Sequence, residues 1–127
     1  MVDPIPSAVR QFVNANIDSV DELEILRLLS EDAPSAISST SLSATLGLPG
    51  ADVEQHIRGL ISKGFVTFTS PMPLGCAWGA QTPELLEQIR VLIKTYQERP
   101  VSLIKMVYDK KRQLRLFAEA FRLKKEE

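Results

Sequence analysis

The run LSATLGLPGADVEQHIRGLISKGFV, Leu42 to Val66, holds two apolar-periodic segments separated by a break at GLPG. In the second segment Val53, Ile57, Leu60 and Ile61 recur at i, i+4, i+7 and i+8, which predicts a helix over residues 50–63 with one buried face. Gly47 suits the left-handed position that closes the first helix, and Pro49 cannot continue it. Gly64 ends the second helix and hands the chain to FVTFTS, whose Phe, Val and Thr content predicts a strand. Two short helices, a tight turn and a strand form the outline of a helix-turn-helix.

Working outward, IPSAVRQFVNANI places Val9, Phe12, Val13 and Ile17 on one helical face. DSVDELEILRLLSEDAP follows, with Ser19 and Glu22 in capping-box spacing. Val20, Leu23, Leu26 and Leu29 form its buried stripe, Ile25 and Leu28 widen it, and Pro34 stops it. The polar SAISSTS reads as a linker in which Ser38 or Ser39 caps the next helix. On the far side, FVTFTS turns Phe65, Thr67 and Thr69 to one face and Val66 and Phe68 to the other. PMPLG is a loop tip of about five residues, and CAWGAQ is the returning strand. Thr82 then caps a helix that has Pro83 at its first position, with Leu85, Ile89, Leu92, Ile93 and Tyr96 as its apolar stripe. Pro100 ends that helix. Residues 101–124 are again helical, interrupted by the polar DKKRQ, so a kink or break is expected near residues 108–111, with Asp109 as a cap. The final KKEE is expected to fray.

The order is mainly α with a small β-hairpin. At its joints it resembles the winged helix-turn-helix regulators of the arsenic-repressor and multiple-antibiotic-resistance kinds, over roughly residues 18–80. The resemblance rests on Leu42, Leu46, Gly47, Leu48, Leu60, Gly64 and Val66, which occupy the family's packing and turn positions. The expected organisation is a winged-helix domain over residues 1–81 and, outside the resemblance, a C-terminal helical extension over residues 82–127. In such regulators the helices after the wing often carry dimer contacts, which implies that the extension packs on the domain or on a second copy.

Composition bounds the function. A chain of 127 residues with 44% hydrophobic and 24% charged content is ordinary for a soluble globular protein. No apolar run approaches the roughly 18 residues that a membrane span needs. MVDPIPSAVR lacks the basic-then-apolar layout of a signal peptide. The single Cys76 forms no intrachain disulfide, and a cytoplasmic location is expected. The net charge of −1 hides a division: residues 1–89 hold four basic and eleven acidic side chains, giving −7, and residues 90–127 hold eleven basic and five acidic, giving +6. Such a division steers partners more than the total does.

If the second helix of the motif docks in a major groove, its outward face carries Ala51, Asp52, Gln55, Arg58, Gly59 and Ser62. Gln55 is matched to adenine and Arg58 to guanine, so Gln55, Arg58 and Ser62 are the candidate DNA contacts. Electrostatics oppose this reading. Asp52, Glu54, Arg58 and Lys63 sum to zero, and SPMPLG at the wing tip has no Arg or Lys to neutralise phosphate. The basic C-terminal region, with Lys110, Lys111, Arg112, Arg115, Arg122, Lys124 and Lys125, is a second source of phosphate contacts.

The other reading is a protein-interaction or dimerisation module. Met72 and Leu74, with Cys76 and Trp78 just beyond, form either an exposed apolar wedge or, for Leu74 and Trp78, a return onto the helical core. Leu103, Val107, Leu114, Phe117 and Phe121 need a cover, supplied either by residues 82–97 or by a second copy. Partners are therefore DNA, a protein or a second copy of the chain, with no membrane. Enzyme chemistry has little to rest on. His56 lies at the edge of a buried stripe, Cys76 has no His or Cys partner at motif spacing, and no Gly-rich phosphate loop follows a strand. No metal and no cofactor are expected.

Overall fold

The computed structural model describes the backbone of residues 5–126 and the side chains of residues 5–122, so the first residues of MVDPIPSAVR and the side chains of KKEE lie outside the described residues. The chain runs α1 (Ser7–Asn16), α2 (Val20–Asp32), β1 (Ile37–Ser38), α3 (Ser39–Leu46), α4 (Gly50–Ser62), β2 (Val66–Pro71), β3 (Leu74–Trp78), α5 (Pro83–Glu98) and α6 (Pro100–Glu126). The three strands form one antiparallel sheet in the order β1-β3-β2.

The helix ends follow the local signals. Ser19 caps α2 by accepting from the Glu22 amide, and Glu22 returns the favour through Oε1 to the Ser19 amide. Ser38 caps α3 by accepting from the Ser41 amide, and Gly47 closes α3 with φ +69°. Thr82 caps α5 through the Leu85 amide, with Pro83 beside it. Gly64, at φ +77°, reverses the chain after α4, and a Cβ there would meet the Gln81 side chain at 2.6 Å.

One core unites these elements. Val9, Phe12, Val13 and Ile17 meet Leu23, Ile25, Leu26 and Leu29, together with Val53, Ile57 and Leu60. Ile89, Leu92, Ile93 and Tyr96 of α5 and Leu103 and Val107 of α6 belong to the same cluster. Phe12 and Phe65 pack with ring centroids 5.4 Å apart, joining α1 to the residue that leads into β2.

Four expectations need correction. SAISSTS contains a strand, because Ile37 pairs with Cys76 and Ser38 with Gly75. The hairpin loop is two residues, Met72 and Pro73, since Pro71 already pairs with Leu74. Alternation along FVTFTS fails beyond Phe68: Val66, Thr67 and Phe68 pair in consecutive register, and the pairing then shifts. The register is irregular between Phe68 and Ser70, which leaves Thr69 unpaired opposite Gly75, and the extra residue breaks the two-residue period. Finally, α6 runs without a break through residues 108–111. No Gly or Pro interrupts residues 101–126, so a polar stretch alone does not end the helix.

Candidate nucleic-acid interface

Burial of Val53, Ile57 and Leu60 fixes the rotation of α4, and Ala51, Asp52, Gln55, Arg58 and Ser62 are exposed as a result. Gly59 is half-buried. The Arg58 guanidinium lies 4.0 Å from Glu54, too loose a pairing to hold it, so the group is available to a partner. Asp52 sits in the first turn, where the positive end of the helix favours it and where it would repel a phosphate. His56 Nε2 stands 3.4 Å from Asp21 Oδ2 and links α4 to α2, the structural place its sequence position suggests.

The wing is uncharged. No Lys or Arg occurs from Gly64 to Ile89. Met72 is 90% exposed at the tip, whereas Leu74 is 3% exposed and packs inward. Leu74 is therefore withdrawn as an interface candidate, because the short loop brings it into register inside the sheet. Trp78 also turns back and packs against the core. Cys76 is fully buried, and burial pushes its thiol up to about 11, which leaves it neutral and unreactive.

Lys63 and Lys110 both turn inward, onto the end of α1. The Lys63 ammonium donates to the Asn16 carbonyl at 2.6 Å and lies 3.3 Å from Glu22 Oε2 and 3.4 Å from Asp18 Oδ2. The Lys110 ammonium donates to the Ile17 carbonyl at 2.8 Å and lies 3.3 Å from Asp18 Oδ1. Asp18 is held below the usual carboxylate value: burial works against its charge, and Lys63 and Lys110 outweigh burial.

Comparison with solved structures places this geometry. The chain is similar to MepR, a transcription regulator of the Staphylococcus aureus multidrug efflux pump MepA, with a TM-score of 0.54 and 11% identity over 94% of this chain and 87% of that one. It is also similar to a transcriptional regulator from Thermotoga maritima, with a TM-score of 0.50 and 16% identity over 88% and 84%. At these identities the likeness is one of fold, a winged helix with six helices and a small antiparallel sheet among the described residues. No family model and no curated protein matches the sequence itself.

On this winged-helix frame the C-terminal candidates divide. Lys110 is withdrawn as a DNA contact, because its ammonium is spent on the carbonyls and carboxylate at the end of α1. Lys111, Arg112 and Arg115 are exposed. Leu103 and Val107 are withdrawn as partner contacts, because they are buried within the chain. Leu114, Phe117 and Phe121 continue the same stripe along α6 and are uncovered, with Phe117 72% exposed. A groove of about 800 Å³ runs between α1 and α6, lined by Asn14, Met106, Leu114 and Phe117 among others. No group of three or more potential metal ligands is found, and no helix is long and apolar enough to cross a membrane, among the described residues.

Proposed function

We propose that the chain is a DNA-binding transcription regulator that acts as a homodimer. The observation that carries this reading is the outer face of α4, where Gln55, Arg58 and Ser62 stand exposed together in a fold shared with transcription regulators. Their side chains match base edges in a major groove, Gln55 to adenine and Arg58 to guanine. The uncovered stripe of Leu114, Phe117 and Phe121 supports a second copy as its cover, since a monomer gains nothing by leaving three large apolar side chains in water.

Charge sets the character of the binding. Across α3, α4 and the wing, Arg58 is the one cation that faces outward among the described residues. Few phosphates are neutralised by this face, so base readout carries an unusual share of the affinity and non-specific binding is weak. Fluorescence anisotropy with labelled duplex, repeated across ionic strengths, tests this reading. Binding with a shallow salt dependence is expected. Absence of binding at low ionic strength removes DNA as the ligand and leaves the same fold as a protein-interaction module.

A further inference from the structure

The end of α1 carries a cluster that the outer face of α4 does not account for. The last carbonyls of a helix lack intrahelical partners and collect partial negative charge. α1 has no basic residue in its own last turn. The cations come instead from far along the chain. Lys63 is the residue that closes α4, and Lys110 lies midway along α6. Lys63 takes the Asn16 carbonyl, Lys110 takes the Ile17 carbonyl, and the two ammoniums sit on opposite oxygens of one carboxylate, Asp18. Glu22, itself buried, holds the assembly in place: its Oε1 accepts from the Asp18 amide at 2.7 Å while its Oε2 faces Lys63.

Both lysines occupy mechanically informative positions. Lys63 follows Ser62, a candidate DNA contact, and stands about one and a half turns beyond Arg58. Lys110 marks where α6 leaves the body of the protein: Val107 is buried, and every described residue from Lys111 to Arg122 is exposed. A tilt of α6 therefore strains the Lys110 contacts with Ile17 and Asp18. Because Lys110 shares Asp18 and one helical turn with Lys63, that movement changes what holds the end of α4.

We propose that Lys110, Asp18 and Lys63 are positioning residues through which the seating of α6 sets the orientation of the outer face of α4. The proposal rests on the DNA reading above and adds a means of regulating it: whatever repositions the exposed half of α6 alters DNA affinity without touching DNA.

The full-length chain and its Lys110→Met, Lys63→Met, Asp18→Asn and double-lysine variants test this. Two readouts are needed, duplex affinity across ionic strengths and amide hydrogen exchange. Lys110→Met should weaken duplex binding by about three- to tenfold. The slope of log affinity against log salt should stay unchanged, because no phosphate contact is lost. The double-lysine variant should be about as weak as the weaker single variant, since the two act through one carboxylate. Exchange at the Lys63 and Gly64 amides should quicken in Lys110→Met and in Asp18→Asn, with the Leu42 amide unmoved. Unchanged affinity, a slope reduced by about one, or additive effects of the two lysines would each overturn the proposal. If the wild-type chain binds no duplex, the DNA reading fails by itself and exchange alone decides the coupling: quickened amides at the end of α4 uphold it, and unchanged ones end it.

Discussion

The phenolic hydroxyl of Tyr96 donates a 2.5 Å hydrogen bond to Glu24 Oε2, fastening α5 across the sequence to α2. The same carboxylate accepts two further bonds from the Arg27 guanidinium, which also reaches Glu31. Removing the hydroxyl with Tyr96→Phe leaves the ring packed and takes away one bond to a charged acceptor. The expected loss is about 1–2 kcal/mol, kept modest because Glu24 is partly wet and retains Arg27. Urea denaturation measures it, and a midpoint equal to wild type would show that the bond adds nothing.

Two carboxylates predict the acid limb of stability. Glu24 lies below its ordinary value of 4.5, chiefly through its hydrogen bonds from Arg27 and with Tyr96 assisting against burial. Asp18 lies below its ordinary value of 3.8, where Lys63 and Lys110 overcome burial. A depressed folded value means that the unfolded chain binds protons first, so both contributions are complete above the ordinary values and fade as pH falls through the folded ones. Stability should fall as pH drops below about 4.5. Glu24→Gln should flatten that limb, and an unaltered acid profile in this variant would refute the assignment.

Tyr96 contributes to the alkaline limb, beside the buried Cys76 thiol, whose value burial also raises. Burial and the neighbouring Glu24 carboxylate raise the Tyr96 phenol above the ordinary 10.0, so the folded state keeps a proton that the unfolded chain releases. That contribution is whole below pH 10 and is lost as pH rises beyond it. Tyr96→Phe should make the melting temperature less sensitive to pH above this point. Equal slopes in the two proteins would count against it.

Two glycines should respond to alanine with opposite signs. At Gly64 the positive φ and the 2.6 Å approach of Gln81 predict a loss of about 1–2 kcal/mol. At Gly59, within α4, a Cβ meets nothing within 4 Å, so alanine should stabilise by up to about 1 kcal/mol. Thermal melts of the two variants give the comparison, and shifts in the same direction would contradict the backbone argument.

Phe117→Asp should convert the proposed dimer to monomer in sedimentation equilibrium, because a carboxylate in the uncovered stripe opposes burial against a second copy. Arg58→Ala, in contrast, should leave the oligomer intact and weaken duplex binding about tenfold or more, the scale of one bidentate contact to guanine. A wild-type monomer at high concentration would remove the first prediction without disturbing the second.

Local chemistry was the legible part of this sequence. Ser19 with Glu22, Gly47, and Thr82 with Pro83 each act within four residues of themselves, so their spacing is enough to read them. The stripe of Val53, Ile57 and Leu60 likewise fixes which side of α4 is exposed. Features that depend on distant partners were hidden. Two residues, Ile37 and Ser38, are too few to show a period, and they become a strand only because β3 lies beside them. Lys110 looked like part of a basic run, and nothing within DKKRQ points to carbonyls at residues 13–17. Leu103 and Leu114 share one stripe, yet only the packing of α1 and α5 decides where cover ends.

That ending has a consequence for measurement. Beyond Lys110 the remaining sixteen residues of α6, Lys111 to Glu126, extend about 24 Å with no described side chain buried. A helical segment of that length is marginal in water by itself and draws its support from its neighbours. Where a second copy supplies that support, as proposed above, helicity of the tail and association of copies become one equilibrium, and far-ultraviolet circular dichroism should weaken on dilution in step with dissociation. The spectrum of the proposed dimer would then report its concentration.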